Sequence, residues 1–343
     1  MPLLELAQSN LLSPAILCFL LGAVAVALRS DMHLPEPVFA ALSFYLMLAI
    51  GLRGGAELAE AHWAQVAAPL AGAVLLGCAI PLWCYAILRR WGGFDTPNAA
   101  AMAAHYGSVS AVTFAAVGTM LDRQGVKVEG IAPALLAVME VPAIIVALGM
   151  ARIAMGAPAA VIPSASGAAA LGSAPAFAQP LGLGTVVKDA VSSKSILLLA
   201  GGLLIGAAAP PAAMLKVKPF FGDLFQGALC LFLLELGRVA ASRAGEFRKV
   251  GAFLSGFAIV MPVVHAALGI AVARVTGLSQ GGAVVLGTLA ASSSYIAAPA
   301  AVRLALPEAN PSYYLTCSLA VTFPFNILVG LPLYAAMAAW AYA

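Results

Sequence analysis

The chain has 343 residues, of which 63% are hydrophobic and 9% charged, and its mean hydropathy is +1.01. A soluble protein uses about 25% charged residues to cover its surface. A soluble fold is therefore excluded, and the outer surface is expected to face a lipid bilayer. The formal net charge of +3 is small and the basic residues are scattered, which argues against nucleic-acid binding. The five cysteines lie in apolar runs without a CxxC pair, and we interpret them as buried thiols.

A helix needs about 20 apolar residues to cross a bilayer. The first apolar run follows Ser13 without a basic segment before it, so we interpret it as a span and not as a signal peptide. Stretches of this kind follow one another and predict an all-α polytopic protein with ten transmembrane helices: 12–29, 37–52, 64–88, 97–119, 131–154, 195–210, 222–237, 250–274, 281–303 and 312–341.

Charge in the loops predicts the orientation. Eleven Lys and Arg residues follow the odd-numbered spans, and six follow the even-numbered ones. Because basic loops stay in the cytoplasm, both termini are predicted to lie on the extracytoplasmic side of the plasma (inner) membrane.

One segment differs from the rest of the chain. Residues 156–186 are rich in Ala, Gly, Pro and Ser, and their prolines interrupt any helical pattern. We predict a flexible cytoplasmic linker over 156–190, between a first five-helix repeat over 1–155 and a second over 191–343. A poorly formed extra span is the alternative.

The two halves share a pattern. Each has a Gly followed by an Arg at the end of its second span, an internal proline in its third and another proline in its last. The matching residues are Arg53 and Arg238, Pro81 and Pro262, and Pro142 and Pro324. Five spans in each half is an odd number, which predicts two inverted repeats, a plan that many secondary transporters use. Chance similarity between apolar segments is the alternative.

Small and hydroxylated residues concentrate at equivalent places in the two halves, in HYGSVSAVT (105–113) and AASSSYIAAP (290–299). Such residues weaken a helix, so we predict two broken helices that face each other at the membrane midplane. Free N–H groups at a helix start suit an anion, whereas carbonyl and serine oxygens suit a cation such as Na⁺. The alternative is that Gly and Ser only permit close helix packing.

Ionisable residues inside spans are candidates for ion coupling. A carboxylate in the bilayer must be paired, hydrated or protonated, so Glu140 is a candidate ion ligand or proton acceptor. The alternative is a structural residue, either protonated or paired with an arginine. His105, beside the first predicted break, is a second candidate. Glu235 is expected to pair with Arg238, three residues further along its helix, and His265 to be a satisfied polar residue.

No enzyme signature is present. The sequence lacks HExxH, GxSxG, the Walker A pattern and the paired-aspartate motif of intramembrane proteases. We therefore expect no catalytic activity.

These motifs, outside the linker, resemble those of the cyanobacterial sodium-dependent bicarbonate transporter family. The segments that carry the resemblance lie in the family's order: IGLRGG (50–55), GSVSAVT (107–113), MEVPA (139–143), AASSS (290–294) and PEANPSYY (307–314). The resemblance implies ten spans in inverted halves, a homotrimer, and bicarbonate carried in symport with sodium between the two broken helices.

The resemblance also implies which residues bind the solutes. The first break would contribute Gly107, Ser108, Val109, Ser110 and Thr113. The second would contribute Ser292, Ser293, Ser294 and the position of Tyr295. A sodium ion would lie at Ser110, Ser293 and Ser294.

The sequence departs from the family in ways that bear on coupling. Tyr295 stands where the family has Asp, and Ala49 stands where it has Lys. A hydroxyl is lost in the stretch 111–113, and His105 and Tyr106 replace apolar residues. We therefore expect altered cation coupling, with a proton carried through Glu140 or His105 as one alternative.

Two further alternatives remain for the whole protein: the same fold with a different small organic anion as substrate, or a non-transporting membrane sensor or scaffold. A polar cavity between the two breaks would favour transport, and a dry, tightly packed crossing would favour the scaffold. The linker is short and nearly uncharged, so docking of the family's small regulatory protein is not expected.

Overall fold

The computed structural model describes residues 8, 10–61, 63–155, 184, 188, 192–243, 245 and 247–343. Within these residues every regular element is helical. The helices are α1 (Pro14–Ala27), α2 (Glu36–Ala59), α3 (Trp63–Arg90), α4 (Thr96–Gly107), α5 (Ala111–Arg123), α6 (Ala132–Met155), α7 (Lys194–Ala208), α8 (Pro211–Arg243), α9 (Phe247–Val275), α10 (Gln280–Ala291), α11 (Ala297–Ala305) and α12 (Pro311–Tyr342).

Seven of the described helical segments are long and apolar enough to cross a membrane, with α4 and α5 counted as one segment. Three shorter apolar helices, α1, α7 and α10, accompany them. The protein is therefore a multi-pass membrane protein. Each of the predicted apolar stretches overlaps one of these segments, and the predicted linker lies outside the described residues except at 184 and 188.

Helix α8 differs from the prediction, which placed the start of this span at residue 222. It begins at Pro211 and continues through a π-helical turn, Pro219–Asp223. Lys216 and Lys218 suggested a loop here. Pro211 stands in the first turn of the helix, where proline is tolerated, and Pro219 is the first residue of the π-helical turn.

Two pairs of helices pack backbone to backbone, α1 against α8 and α2 against α7. A side chain at Gly22 of α1 would overlap the carbonyl oxygen of Leu234, and one at Gly206 of α7 would overlap that of Leu52. The reverse contacts involve Gly237 with Phe19 and Gly55 with Leu203. The matching residues are 182 or 184 positions apart along the chain. Small residues permit this close approach in membranes.

The segment formed by α4 and α5 lies at the centre of the molecule, where 94% of its apolar window is buried by protein. It packs against α3 and α6, while α10 packs against α9 and α5. Helix α12 contains two further π-helical turns, Thr316–Thr322 and Asn326–Gly330, on either side of Pro324. Extra turns of this kind often occur at functional sites.

Candidate functional site

Both predicted breaks are present, and they cross each other. Helix α4 ends at Gly107 and α5 begins after Ser110, whereas α10 ends at Ala291 and α11 begins at Ala297. The backbone N–H of Ser110 donates to Ser292 Oγ at 2.9 Å. The backbone N–H of Ser294 donates to the carbonyl oxygen of His105 at 2.8 Å. Each non-helical segment thus donates one backbone hydrogen bond to the other half of the molecule.

In the first break, two of the predicted site residues are occupied by contacts with neighbouring helices. A side chain at Gly107 would overlap the ring of Pro81 in α3, so this glycine is needed for close packing. The Ser108 hydroxyl donates to the carbonyl oxygen of Glu140 in α6 at 3.1 Å. Val109, the next residue in the chain, is buried as well. These contacts hold the end of α4 in place.

Ser110 caps α5 and also contacts the second break. Its Oγ accepts the N–H of Thr113 at 3.2 Å and lies 3.1 Å from the Tyr295 hydroxyl oxygen, to which it donates. The ring of Tyr295 packs edge-on against Phe323, with centroids 5.3 Å apart. The residue that departs from the family pattern therefore lies inside the crossing, where its hydroxyl bridges the two halves.

The second break is held in a similar way. Ser292 Oγ donates to the carbonyl oxygen of Leu289, and Ser294 Oγ accepts the N–H of Ala298. Ser293 is buried, and its hydroxyl has no hydrogen-bond partner among the described residues. Of the three hydroxyls expected around a sodium ion, those of Ser110 and Ser294 accept backbone N–H groups, whereas that of Ser293 has no partner among the described residues.

Asn326 is a site-supporting residue that the sequence reasoning missed. Its amide Nδ2 donates to the carbonyl oxygen of Ala291, the last residue of α10, at 3.0 Å. Its Oδ1 accepts the hydroxyl of Tyr334 at 2.7 Å. A polar residue two positions after Pro324 in an apolar span was the signal that could have identified it.

His105 is fully buried beside the crossing. Its Nδ1 lies 2.7 Å from the carbonyl oxygen of Ala101, and its ring stacks on Tyr314 with centroids 4.4 Å apart. A carbonyl can only accept, so Nδ1 carries the hydrogen and Nε2 presents a lone pair. That Nε2 has no partner among the described residues.

Glu140 is buried in α6, and no hydrogen bond or ion pair involves its carboxylate in the described part of the chain. The alternative of pairing with an arginine is therefore not supported there. Its backbone carbonyl accepts from Ser108, so the residue lies one contact away from the first break. A buried carboxylate without a cationic partner favours either the protonated form or a bound cation.

Two other polar predictions fall outside the crossing. Glu235 pairs with Arg238 at 2.6 Å, as predicted, and also accepts the N–H of Leu34 at 3.0 Å. His265 Nε2 accepts from the indole of Trp83 at 2.9 Å, so α9 and α3 are joined at this point. Glu235 is therefore paired as predicted, whereas His265 is only partly satisfied, because its Nδ1 has no hydrogen-bond partner among the described residues.

A cavity of about 760 Å³, which we call the vestibule, lies beside the crossing. Its walls come from α2, α5, the loop after α5, the start of α6 and the π-helical turn of α8. It reaches Phe114, whose N–H bonds to the Ser110 carbonyl, but it includes none of the predicted residues of the two breaks. Its charged lining residues are Arg53, Glu57, Glu60, Asp122, Lys127 and Glu129.

The geometry thus combines a buried crossing with an open approach to it. Two helix starts bring positive partial charge to the crossing, and two helix ends bring carbonyl oxygens. In other membrane proteins, helix starts of this kind bind anions and helix ends bind cations. Because the crossing residues bond to one another, a solute enters only if these hydrogen bonds exchange partners.

Comparison with known families gives one match over nearly the whole chain. The family described as the Na⁺-dependent bicarbonate transporter superfamily matches residues 14–339. No curated protein gives a significant match.

Proposed function

Because the chain belongs to the Na⁺-dependent bicarbonate transporter superfamily, we propose that it is a secondary transporter that moves bicarbonate or a similar small anion across the plasma membrane. The observation that carries the proposal is the reciprocal bonding of the two breaks, Ser110 to Ser292 and Ser294 to His105. Irregular backbone is tolerated in a membrane where it is buried in protein or lines a cavity, and such breaks form the solute sites of many transporters.

Two inverted halves are part of this proposal. Matching glycines make matching contacts in the α1–α8 and α2–α7 pairs. The caps of α4 and α10, Asp95 and Ser279, are 184 residues apart, and so are Ser110 and Ser294. Ten spans follow if α1, α7 and the α10–α11 pair also cross the membrane. A site on the pseudo-twofold axis of such repeats would lie near the midplane.

The position of the vestibule suggests the side of the membrane from which the solute enters. It lies at the ends of α2 and α5, which the loop charges place on the extracytoplasmic side. This conformation would then be open outward and closed toward the cytoplasm, with both termini outside. Solute release on the other side would require the crossing to exchange its hydrogen bonds.

The residues at the crossing suggest two candidates for the coupling ion, sodium and a proton. We propose that sodium binds more weakly here than a carboxylate at position 295 would allow, because Tyr295 supplies a hydroxyl and no charge. The free hydroxyl of Ser293 and the helix-end carbonyls remain as oxygen ligands. Proton coupling is the second candidate, favoured by the unpaired carboxylate of Glu140 and the bare Nε2 of His105.

A different small organic anion is the alternative substrate, and the vestibule volume of about 760 Å³ admits one. The sensor or scaffold alternative is favoured by the dense crossing itself, whose serines are at most 4% exposed. A homotrimer in the membrane, no nucleic-acid partner and no enzymatic activity complete the proposal.

Counterflow exchange tests it. Purified protein in proteoliposomes loaded with unlabelled bicarbonate should take up labelled bicarbonate, and a panel of other small anions inside the vesicles would rank the substrates. Exchange with an organic anion but not with bicarbonate would support the alternative substrate. Absence of exchange with every anion, from protein that remains folded, would support the scaffold.

A further inference from the structure

Arg53 is a charged residue near the end of a transmembrane helix. It lies on α2, lines the vestibule and has a side chain that is 69% exposed. Its Nε donates to Glu57 Oε1 at 3.1 Å, one turn further along the helix. Its Nη1 lies 3.6 Å from Asp122 Oδ2, near the end of α5. Both carboxylates also line the vestibule.

These contacts leave part of the guanidinium unused. Arginine has five N–H donors in a planar fork, and only Nε and one Nη atom have protein partners here. The contact with Asp122 is longer than a normal hydrogen bond and both side chains are more than half exposed, so the ion pair is weak. The edge formed by Nη1 and Nη2 therefore remains able to receive two oxygens of an incoming planar anion.

We propose that Arg53 is the capture site for the transported anion: it binds a planar oxyanion, with bicarbonate or a carboxylate as the ligand class, in the vestibule before the anion reaches the crossing. The proposal rests on the proposed transport function and adds a residue to it. The guanidinium fork matches the O–C–O geometry of these anions, whereas a spherical anion such as chloride offers no second oxygen.

Asp122 then acts as a competitor for the same edge of the guanidinium. The vestibule contains four carboxylates and two basic side chains, so its charge opposes a tightly held anion. Weak capture suits a transport step, because the anion must leave Arg53 to enter the crossing. Removing the charge of Asp122 should strengthen capture, while removing that of Arg53 should weaken it.

These opposite expected effects distinguish anion capture by Arg53 from a purely structural role of the ion pair. Arg53→Gln and Asp122→Asn both break the same ion pair. If the pair only fastened α2 to α5, the two variants would change transport in the same direction. Capture predicts opposite directions. For bicarbonate uptake into proteoliposomes at constant pH and ionic strength, we expect Arg53→Gln to raise KM about three- to five-fold and Asp122→Asn to lower it about two-fold, with similar maximal rates.

Lys127→Gln is the matched control. Lys127 lines the same vestibule and loses the same charge, but an ammonium group lacks the planar fork. We expect a KM within about two-fold of the wild-type value. An equal increase in KM for Lys127→Gln and Arg53→Gln would overturn the proposal, as would a shift in the same direction for Arg53→Gln and Asp122→Asn.

Anion binding to Arg53 can be measured without transport. Bicarbonate and formate should raise the melting temperature of the purified protein in detergent, more than chloride at equal ionic strength, and Arg53→Gln should abolish the difference. If wild-type protein shows this protection but exchanges no anion, transport fails and capture stands. If transport is observed without Arg53-dependent protection, capture fails.

Discussion

The backbone N–H of Ser110 and the hydroxyl oxygen of Ser292 are 2.9 Å apart, although the residues are 182 positions apart in sequence. This hydrogen bond joins the start of α5 to the end of α10, which belong to different halves of the chain. A broken helix leaves backbone groups unpaired, and in a membrane each unpaired group costs several kcal/mol. The two breaks therefore stabilise each other in this structure.

The first prediction concerns that contact. Ser292→Ala removes the side-chain oxygen that accepts the Ser110 N–H and leaves a buried donor unpaired, which should lower the free energy of unfolding by about 1–3 kcal/mol. Steric trapping in bicelles would measure it. Ser255→Ala, which removes a half-buried hydroxyl that bonds within its own helix, should cost less than about 1 kcal/mol. Equal losses for the two variants would contradict the role given to Ser292.

The second prediction concerns Tyr295. Tyr295→Asp places a carboxylate at the crossing, beside Ser110, and supplies the charge that a sodium site prefers. We expect uptake by this variant to depend more strongly on sodium than uptake by the wild type, measured in sodium and in potassium buffers. Tyr295→Phe removes only the hydroxyl, so its sodium dependence should match that of the wild type. An unchanged sodium response in Tyr295→Asp would place the cation elsewhere.

The third prediction tests the close helix crossings. Gly206→Ala adds a methyl group that overlaps the Leu52 carbonyl, so it should destabilise the protein by about 1–3 kcal/mol or more. Gly201→Ala lies on the same helix with open space around it and should be nearly neutral. Gly22→Ala, at the matching position of the first half, should cost about as much as Gly206→Ala. Thermal unfolding in detergent would compare the three variants, and a neutral Gly22→Ala would argue against equivalent halves.

The fourth prediction contrasts two buried glutamates. Glu140 has no partner for its carboxylate in the described residues, so Glu140→Gln should leave the unfolding free energy unchanged or raise it while impairing coupled uptake. Glu235→Gln removes the partner of Arg238 and should lower stability by about 1–3 kcal/mol. Wild-type ion dependence of uptake in Glu140→Gln would exclude this residue as the coupling group.

Much of the fold was predictable from the sequence, for reasons that these residues illustrate. Apolar stretches of bilayer length located the spans, and the serines around 108–110 and 292–294 located the breaks, because both signals are local in sequence. The prediction for α8 was wrong at its start, since Lys216 and Lys218 suggested a loop where the helix continues. The Glu235–Arg238 pair was confirmed because three residues span one helical turn.

Other parts of the site depend on tertiary packing and were not predictable. No local pattern indicated that Arg53 would contact Asp122, which lies 69 positions away, or that Trp83 would donate a hydrogen bond to His265. Gly107 was predicted as a solute contact, yet its lack of a side chain is explained by the ring of Pro81. The hydrogen bonds that occupy serine hydroxyls form only in the folded chain. Among the three expected sodium ligands, only Ser293 keeps a hydroxyl without a partner in the described residues.

Accumulation of labelled bicarbonate in proteoliposomes tests the central claim, transport through the Ser110–Ser292 crossing, most directly. An inward sodium gradient and an inward proton gradient should be applied separately, to the wild type and to Ser292→Ala. We predict that the wild type accumulates bicarbonate above the external concentration under at least one gradient, and that Ser292→Ala, while still folded, does so at a reduced rate. Equal accumulation by both proteins, or none by the folded wild type under either gradient, would contradict this account.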